Sequence, residues 1–113
     1  MATPRRNLTE REIEEVWQKA NIIPNNNPNV YRQDYAGAWI RRDQYGQTTE
    51  YGWAIDLIKP LIQNGTYDMG NMLPLQHQNK TKKGDDYPQW QTEVSAEGTK
   101  NVISIRNWYI KLD

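Results

Sequence analysis

Apolar positions in this chain are few, and they fall into short groups whose spacing separates helix from strand. Ile13, Val16, Trp17 and Ala20 recur three or four residues apart, the period of one helical face. Thr9 precedes them with Glu12 three residues on, the pattern of a capping box, and Leu8 is placed to staple onto Ile13. Acidic residues fill the first turns and Lys19 sits near the end, the order a helix dipole favours. A helix is predicted over 9–20, with Ile13, Val16 and Trp17 turned inward. Asn21 to Asn29 holds Pro24, Pro28 and five Asn, and reads as a loop.

Further along, the period shortens to that of strands. Tyr31 to Tyr35 leads into Ala36-Gly37-Ala38-Trp39-Ile40 as one strand, ending near Arg41-Arg42-Asp43, and Tyr45-Gly46-Gln47 signals a turn. Tyr51 to Ile58 predicts a second strand, with Trp53, Ile55 and Leu57 on one face, stopped by Lys59-Pro60. Gln63-Asn64-Gly65-Thr66 is a turn. From Pro74 to about Lys83 nothing breaks the chain, so a short helix is predicted there, closed by Lys82-Lys83-Gly84. Asp85 to Pro88 forms a loop leading to Trp90. Val102 to Ile105 and Trp108 to Ile110 make a closing strand, bulged at Arg106-Asn107. Residues 1–8 read as a loose terminus, and no internal repeat is present.

Composition sharpens this picture. The chain has 113 residues, the size of one domain spanning 1–113. Its mean hydropathy of −1.00 is low, which raises the question of disorder. Disordered chains combine low hydropathy with high net charge and few aromatics. Here 14 Lys and Arg balance 14 Asp and Glu, and there are five Trp and seven Tyr but no Phe. The expectation is a folded domain with an aromatic core in a very polar shell. The zero net charge provides no global field for nucleic acid. The absence of cysteine excludes disulfides, cysteine metal sites and cysteine nucleophiles. No apolar run approaches the ~20 residues of a membrane span, and the start is polar, so no membrane partner and a cytoplasmic location are expected.

One ordered series of motifs runs from Tyr35 to Pro88. It comprises Gly37 to Ile40, Tyr45-Gly46, Tyr51 to Pro60, Asn64-Gly65, Asn71-Met72-Leu73-Pro74-Leu75 and Lys83 to Pro88. This series resembles an HNH endonuclease module, with the HNH-like core at about 35–88. The resemblance implies an α+β single domain with a ββα core, an N-terminal helix and a C-terminal strand. It further implies one divalent metal held by an Asp on the ribbon and a ligand on the helix, a His as general base, and an Asn that orients the loop.

Laid on this sequence, Asp56 and Asn71 match. The base position is Leu57, the helix ligand falls on Lys80 with Asn79 beside it, and the acidic residue before Asp56 is Ala54. A general base needs a lone pair, and its loss lowers rates ~10²–10⁴-fold. An ammonium has no lone pair for a cation and repels it. The implied site at Asp56, Leu57, Asn71 and Lys80 is thus degenerate, and the expectation is an inactive scaffold without metal or other cofactor. Lys80 is expected to reach Asp56 as an ion pair where the cation would sit.

Other residues offer other chemistry. Arg41, Arg42, Lys80, Lys82 and Lys83 form two basic clusters suited to phosphate contacts with DNA or RNA. They compete with the reading of solvated ends, the more so with Asp85-Asp86 alongside. A protein–protein interaction module, presenting Trp and Tyr to another chain, is a second reading. An atypical nuclease is the third, with His77 as base, Asp56 and Asn79 as ligands, and Mg or Mn as cofactor.

Overall fold

The computed structural model describes residues 7–112. The loose terminus expected over 1–8 lies outside that range except for Asn7 and Leu8, and Leu8 packs against the core. Helix α1 spans Glu10–Trp17 and begins with the expected capping box. The Thr9 hydroxyl accepts from the Glu12 amide (3.1 Å), and the Glu12 carboxylate accepts from the Thr9 amide (3.0 Å). The helix stops short of residue 20 because its last turn tightens: the amides of Lys19 and Ala20 donate three residues back, to Val16 and Trp17. The Lys19 ammonium reaches across to the carbonyls of Met69 and Met72.

The single strand expected over 31–40 is two strands. β1 (Tyr31–Gln33) and β2 (Trp39–Arg41) pair antiparallel around a turn at residues 34–38. Gly37 sits there at φ +87°, a conformation that disfavours side-chain-bearing residues. The second strand is found as β3 (Trp53–Leu57). It pairs antiparallel with β4 (Met72–Gln76), Leu57 opposite Met72 and Trp53 opposite Gln76.

The helix expected from Pro74 is corrected by this pairing. Residues 74–76 complete the strand, and α2 runs only from His77 to Lys83. The Gln76 side chain marks the switch, accepting from the amides of Gln78 (2.9 Å) and Asn79 (3.2 Å) as an N-cap. Beyond the loop at 85–88 the structure adds a long strand that the sequence pattern does not predict: β5 (Gln89–Glu97) pairs antiparallel with β6 (Lys100–Tyr109). The bulge in β6 falls at Ser104–Ile105, opposite Glu93, rather than at Arg106-Asn107.

The described residues are therefore α+β, with two helices and three two-stranded antiparallel sheets. Ile13, Val16, Trp17, Ile40, Trp53 and Met72 fuse α1, β2, β3 and β4 into the core. Trp17 and Trp53 meet at its centre with ring centroids 5.3 Å apart. The burden expected of Trp in a chain without Phe is carried there. Among the described residues no helix is long and apolar enough to cross a membrane.

Candidate functional site

Alternation along β3 buries Trp53 and Ile55 on one side and Asp56 on the other. Helix α2 packs on β3 and β5, and Lys80 and Lys83, three residues apart on one helical face, turn toward Asp56. The expected Lys80–Asp56 pair is present, with Nζ 3.6 Å from Oδ1. Lys83 is the closer and deeper partner. Its side chain is fully buried, with Nζ 3.3 Å from Asp56 Oδ2. The same ammonium donates to the carbonyls of Leu57 (3.3 Å) and Ile58 (3.0 Å). It also stands 5.0 Å from the centre of the Trp90 ring. One carboxylate, two carbonyl oxygens and an aromatic face thus converge on one positive charge. Burial pushes the Asp56 carboxyl above its ordinary range, and Lys83 and then Lys80 pull it back.

Asn71 closes the loop between β3 and β4. Its carboxamide accepts from the Lys59 amide (2.9 Å) and donates to the carbonyls of Lys59 (3.0 Å) and Thr66 (2.8 Å). Gly65 lies in the same clasp, where a Cβ would sit 1.6 Å from the Lys59 carbonyl oxygen. No side chain fits there. Between this loop, β3 and α2 opens a cleft of about 570 Å³ that reaches Asp56, Leu57 and Lys80, with Asn7 and Leu8 among its walls.

These residues do not fit a divalent metal. The oxygens around Lys83 already accept from an ammonium, the Leu57 side chain has no lone pair, and Lys80 adds a second positive charge. Among the described residues no three His, Cys, Asp or Glu side chains gather as ligands. The substitute ligand Asn79 is committed elsewhere. Its Oδ1 accepts from the amides of Glu93 (2.9 Å) and Val94 (2.8 Å), and its Nδ2 donates to the Val94 carbonyl (2.9 Å) and to Asp34 (3.1 Å). That leaves the atypical nuclease without its second ligand. His77 is the first residue of α2.

Asp34 is the residue the sequence reading missed. It is wholly buried, and its carboxylate accepts from the amides of Ala36 (3.0 Å), Ala38 (2.8 Å) and Gln76 (2.9 Å) as well as from Asn79. It ties the β1–β2 turn to the β4–α2 junction. Burial pushes its carboxyl up against the pull of these four donors. An Asp followed three residues later by Gly is a turn signal that would have found it.

The basic residues separate. Arg41 pairs with Asp43 (2.9 Å) and Arg42 with Glu14 (3.0 Å). Among the described residues no ion pair or hydrogen bond joins them to the α2 cluster. Lys82 is exposed on α2, and Lys80 keeps 40% of its side chain in solvent while touching Asp56. Lys83 must be withdrawn from the phosphate-binding set, because its ammonium is buried against Asp56. In comparisons with known proteins, no family model, no curated protein and no solved structure matches the chain.

Proposed function

We propose that the chain is a catalytically silent scaffold of the HNH type, in which a lysine ammonium stands where the metal would be, and that it holds nucleic acid by its phosphates. One observation carries the reading: Lys83, backed by Lys80, fills the oxygen-lined position beside Asp56. Two further features support it. The chain runs strand, clasped loop, strand, helix from β3 to α2, and Asn71 clasps the loop as the resemblance implies.

The contacts are assigned to Lys80 and Lys82, with Arg41 and Arg42 exchanging their carboxylate partners for phosphate. Two to four such contacts give a salt dependence of log K against log salt of about −2 to −4 on duplex DNA, at about −0.9 per phosphate. Duplex binding by fluorescence anisotropy at several salt concentrations tests this, beside a plasmid-cleavage assay with Mg²⁺ and Mn²⁺. The expected result is salt-sensitive binding without cleavage. Absence of binding at low salt, or cleavage abolished by Asp56→Ala, contradicts the proposal.

A second reading, a protein-interaction module, has its own observation. Ile103 and Tyr109 on β6 are 69% and 74% exposed, with Ile105, Ile110 and Leu112 also in solvent. Scattered exposed apolar residues are ordinary, but clusters mark contact surfaces. A dimer in analytical ultracentrifugation that Ile103→Lys dissociates would favour this reading over the first.

A further inference from the structure

Asn64-Gly65 is the one place in the sequence where glycine follows asparagine. The fold requires that glycine, because Gly65 is buried in the loop clasp and a Cβ there would collide with the Lys59 carbonyl. The missing Cβ also leaves the Gly65 nitrogen unshielded beside the Asn64 side chain. Such a nitrogen can attack the side-chain carbonyl carbon of the asparagine before it, which is how asparagine loses its amide. Asn64 is exposed, and its carboxamide makes no hydrogen bond among the described residues. The side chain itself is thus free to react.

The backbone is not. Asn64 sits in the left-handed conformation at φ 69° and ψ 22°. At that ψ the Gly65 nitrogen lies across the Cα–C bond from Cβ, turned away from the carboxamide, and the five-membered ring cannot close. The Gly65 N–H donates to the Pro60 carbonyl (2.8 Å) and the Asn64 N–H to that of Leu61 (3.0 Å). Asn71 ties the loop together through Lys59 and Thr66. Rotating the Asn64–Gly65 peptide into the reacting position breaks the bond to Pro60 and lifts Gly65 out of the clasp.

We infer that Asn64 is a deamidation site gated by this clasp, converting only in molecules whose loop at 59–71 has opened. In the open loop the Gly65 nitrogen loses its proton and bonds to Asn64 Cγ, and the side-chain nitrogen leaves as ammonia. Water then opens the succinimide at either carbonyl, giving aspartate or isoaspartate without oxidation or reduction. Isoaspartate routes the main chain through Cβ and lengthens it by one atom before Gly65. Gly65 then no longer fits beneath the Lys59 carbonyl, and the clasp does not reclose. Pro60, Leu61 and Tyr67 wall the cleft that reaches Asp56 and Lys80, so the conversion remodels that cleft irreversibly.

The test is incubation of the full chain in mildly alkaline buffer, folded and in urea. Peptide mapping by mass spectrometry follows each asparagine, and isoaspartyl methyltransferase labelling identifies isoaspartate. In urea Asn64 is expected to convert first. In the folded chain its conversion is slowed by the same factor, within about threefold, as hydrogen exchange of the Gly65 amide, because both require one opening. This comparison needs no variant. Asn71→Ala is expected to speed conversion of the folded chain about tenfold, the effect of losing one buried hydrogen-bonding group. Asn64→Gly accepts the positive φ and accumulates no isoaspartate. The converted wild-type protein is expected to have lost protection at the Lys59 amide. A folded chain that converts as fast as the unfolded one, or slowing that departs more than about tenfold from the Gly65 protection, overturns the inference. A Lys59 amide still protected after conversion to isoaspartate overturns the claim that the clasp stays open.

Discussion

Lys83 and Asp56 form a buried pair whose two members depend on each other unequally. The ammonium has two backbone carbonyls besides the carboxylate, whereas Asp56 Oδ2 has no well-directed hydrogen bond and is held by charge. Lys83→Met therefore leaves a buried carboxylate without its nearest cation, and is expected to lower stability by about 3–5 kcal/mol near neutral pH. The sign of its pH dependence follows from Asp56. Burial raises that carboxyl in the folded state, so its contribution is complete below the ordinary value of 3.8 and is lost as pH rises through the folded value. Without Lys83 the carboxyl rises further. The penalty of Lys83→Met, read from urea unfolding, should thus be largest near neutral pH and shrink in acid, where Asp56 is neutral in both proteins. Lys80→Met, which removes the more distant and partly solvated of the two cations beside Asp56, is expected to cost less, about 1 kcal/mol. Asp34→Ala orphans four buried donors and should cost about 3 kcal/mol or more in the same measurement, at about 1–3 kcal/mol for each group left unsatisfied. Asp34→Asn fares little better, because its amide nitrogen then faces a donor.

Among the elements, α1 and β3 were legible because each satisfies a local rule: a capping box with a helical apolar face, and an alternating run bounded by Pro60. The elements misread were those decided by distant partners. Residues 74–76 carry no local strand pattern, but β3 supplies pairing from Trp53 to Leu57, so the chain stays extended until Gln76 caps the helix. β5 is polar along most of its length and exists because β6 pairs with it and Asn79 ties it to α2. At the site, Asp56, Asn71 and Lys80 could be named from the resemblance, whereas Lys83 read as a phosphate contact or a solvated helix end because a single sequence does not show which lysine the helix turns inward. Asn71→Ala is expected to release the loop at residues 59–71. Hydrogen exchange should show the Lys59 amide losing protection while the core amides of β3 keep theirs, since the clasp is local. Loss of protection throughout β3 would show that the clasp holds the whole ribbon.

For the molecule as a whole, balanced charge and an uneven surface matter together. The two arginines of the first basic cluster are paired with carboxylates and Lys83 is internal, so among the described residues these clusters leave no broad positive field. Binding to a polyanion then depends on few contacts, which is why the expected salt slope is shallow and why raising salt should abolish it readily. On the proposed reading the lysines beside Asp56 stand where a cation would be held, and the stability of the fold is expected to be independent of metal. Thermal unfolding with Mg²⁺, Mn²⁺ or Zn²⁺ titrated into the chelator-treated protein measures that independence directly, because a ligand bound only by the folded state raises the midpoint by mass action. The midpoint is expected to stay constant at every ion concentration. A saturable rise of about 5 °C or more with any of the three, in a domain where ~1 kcal/mol moves the midpoint by ~4–8 °C, would contradict the placement of an ammonium in the role of the metal.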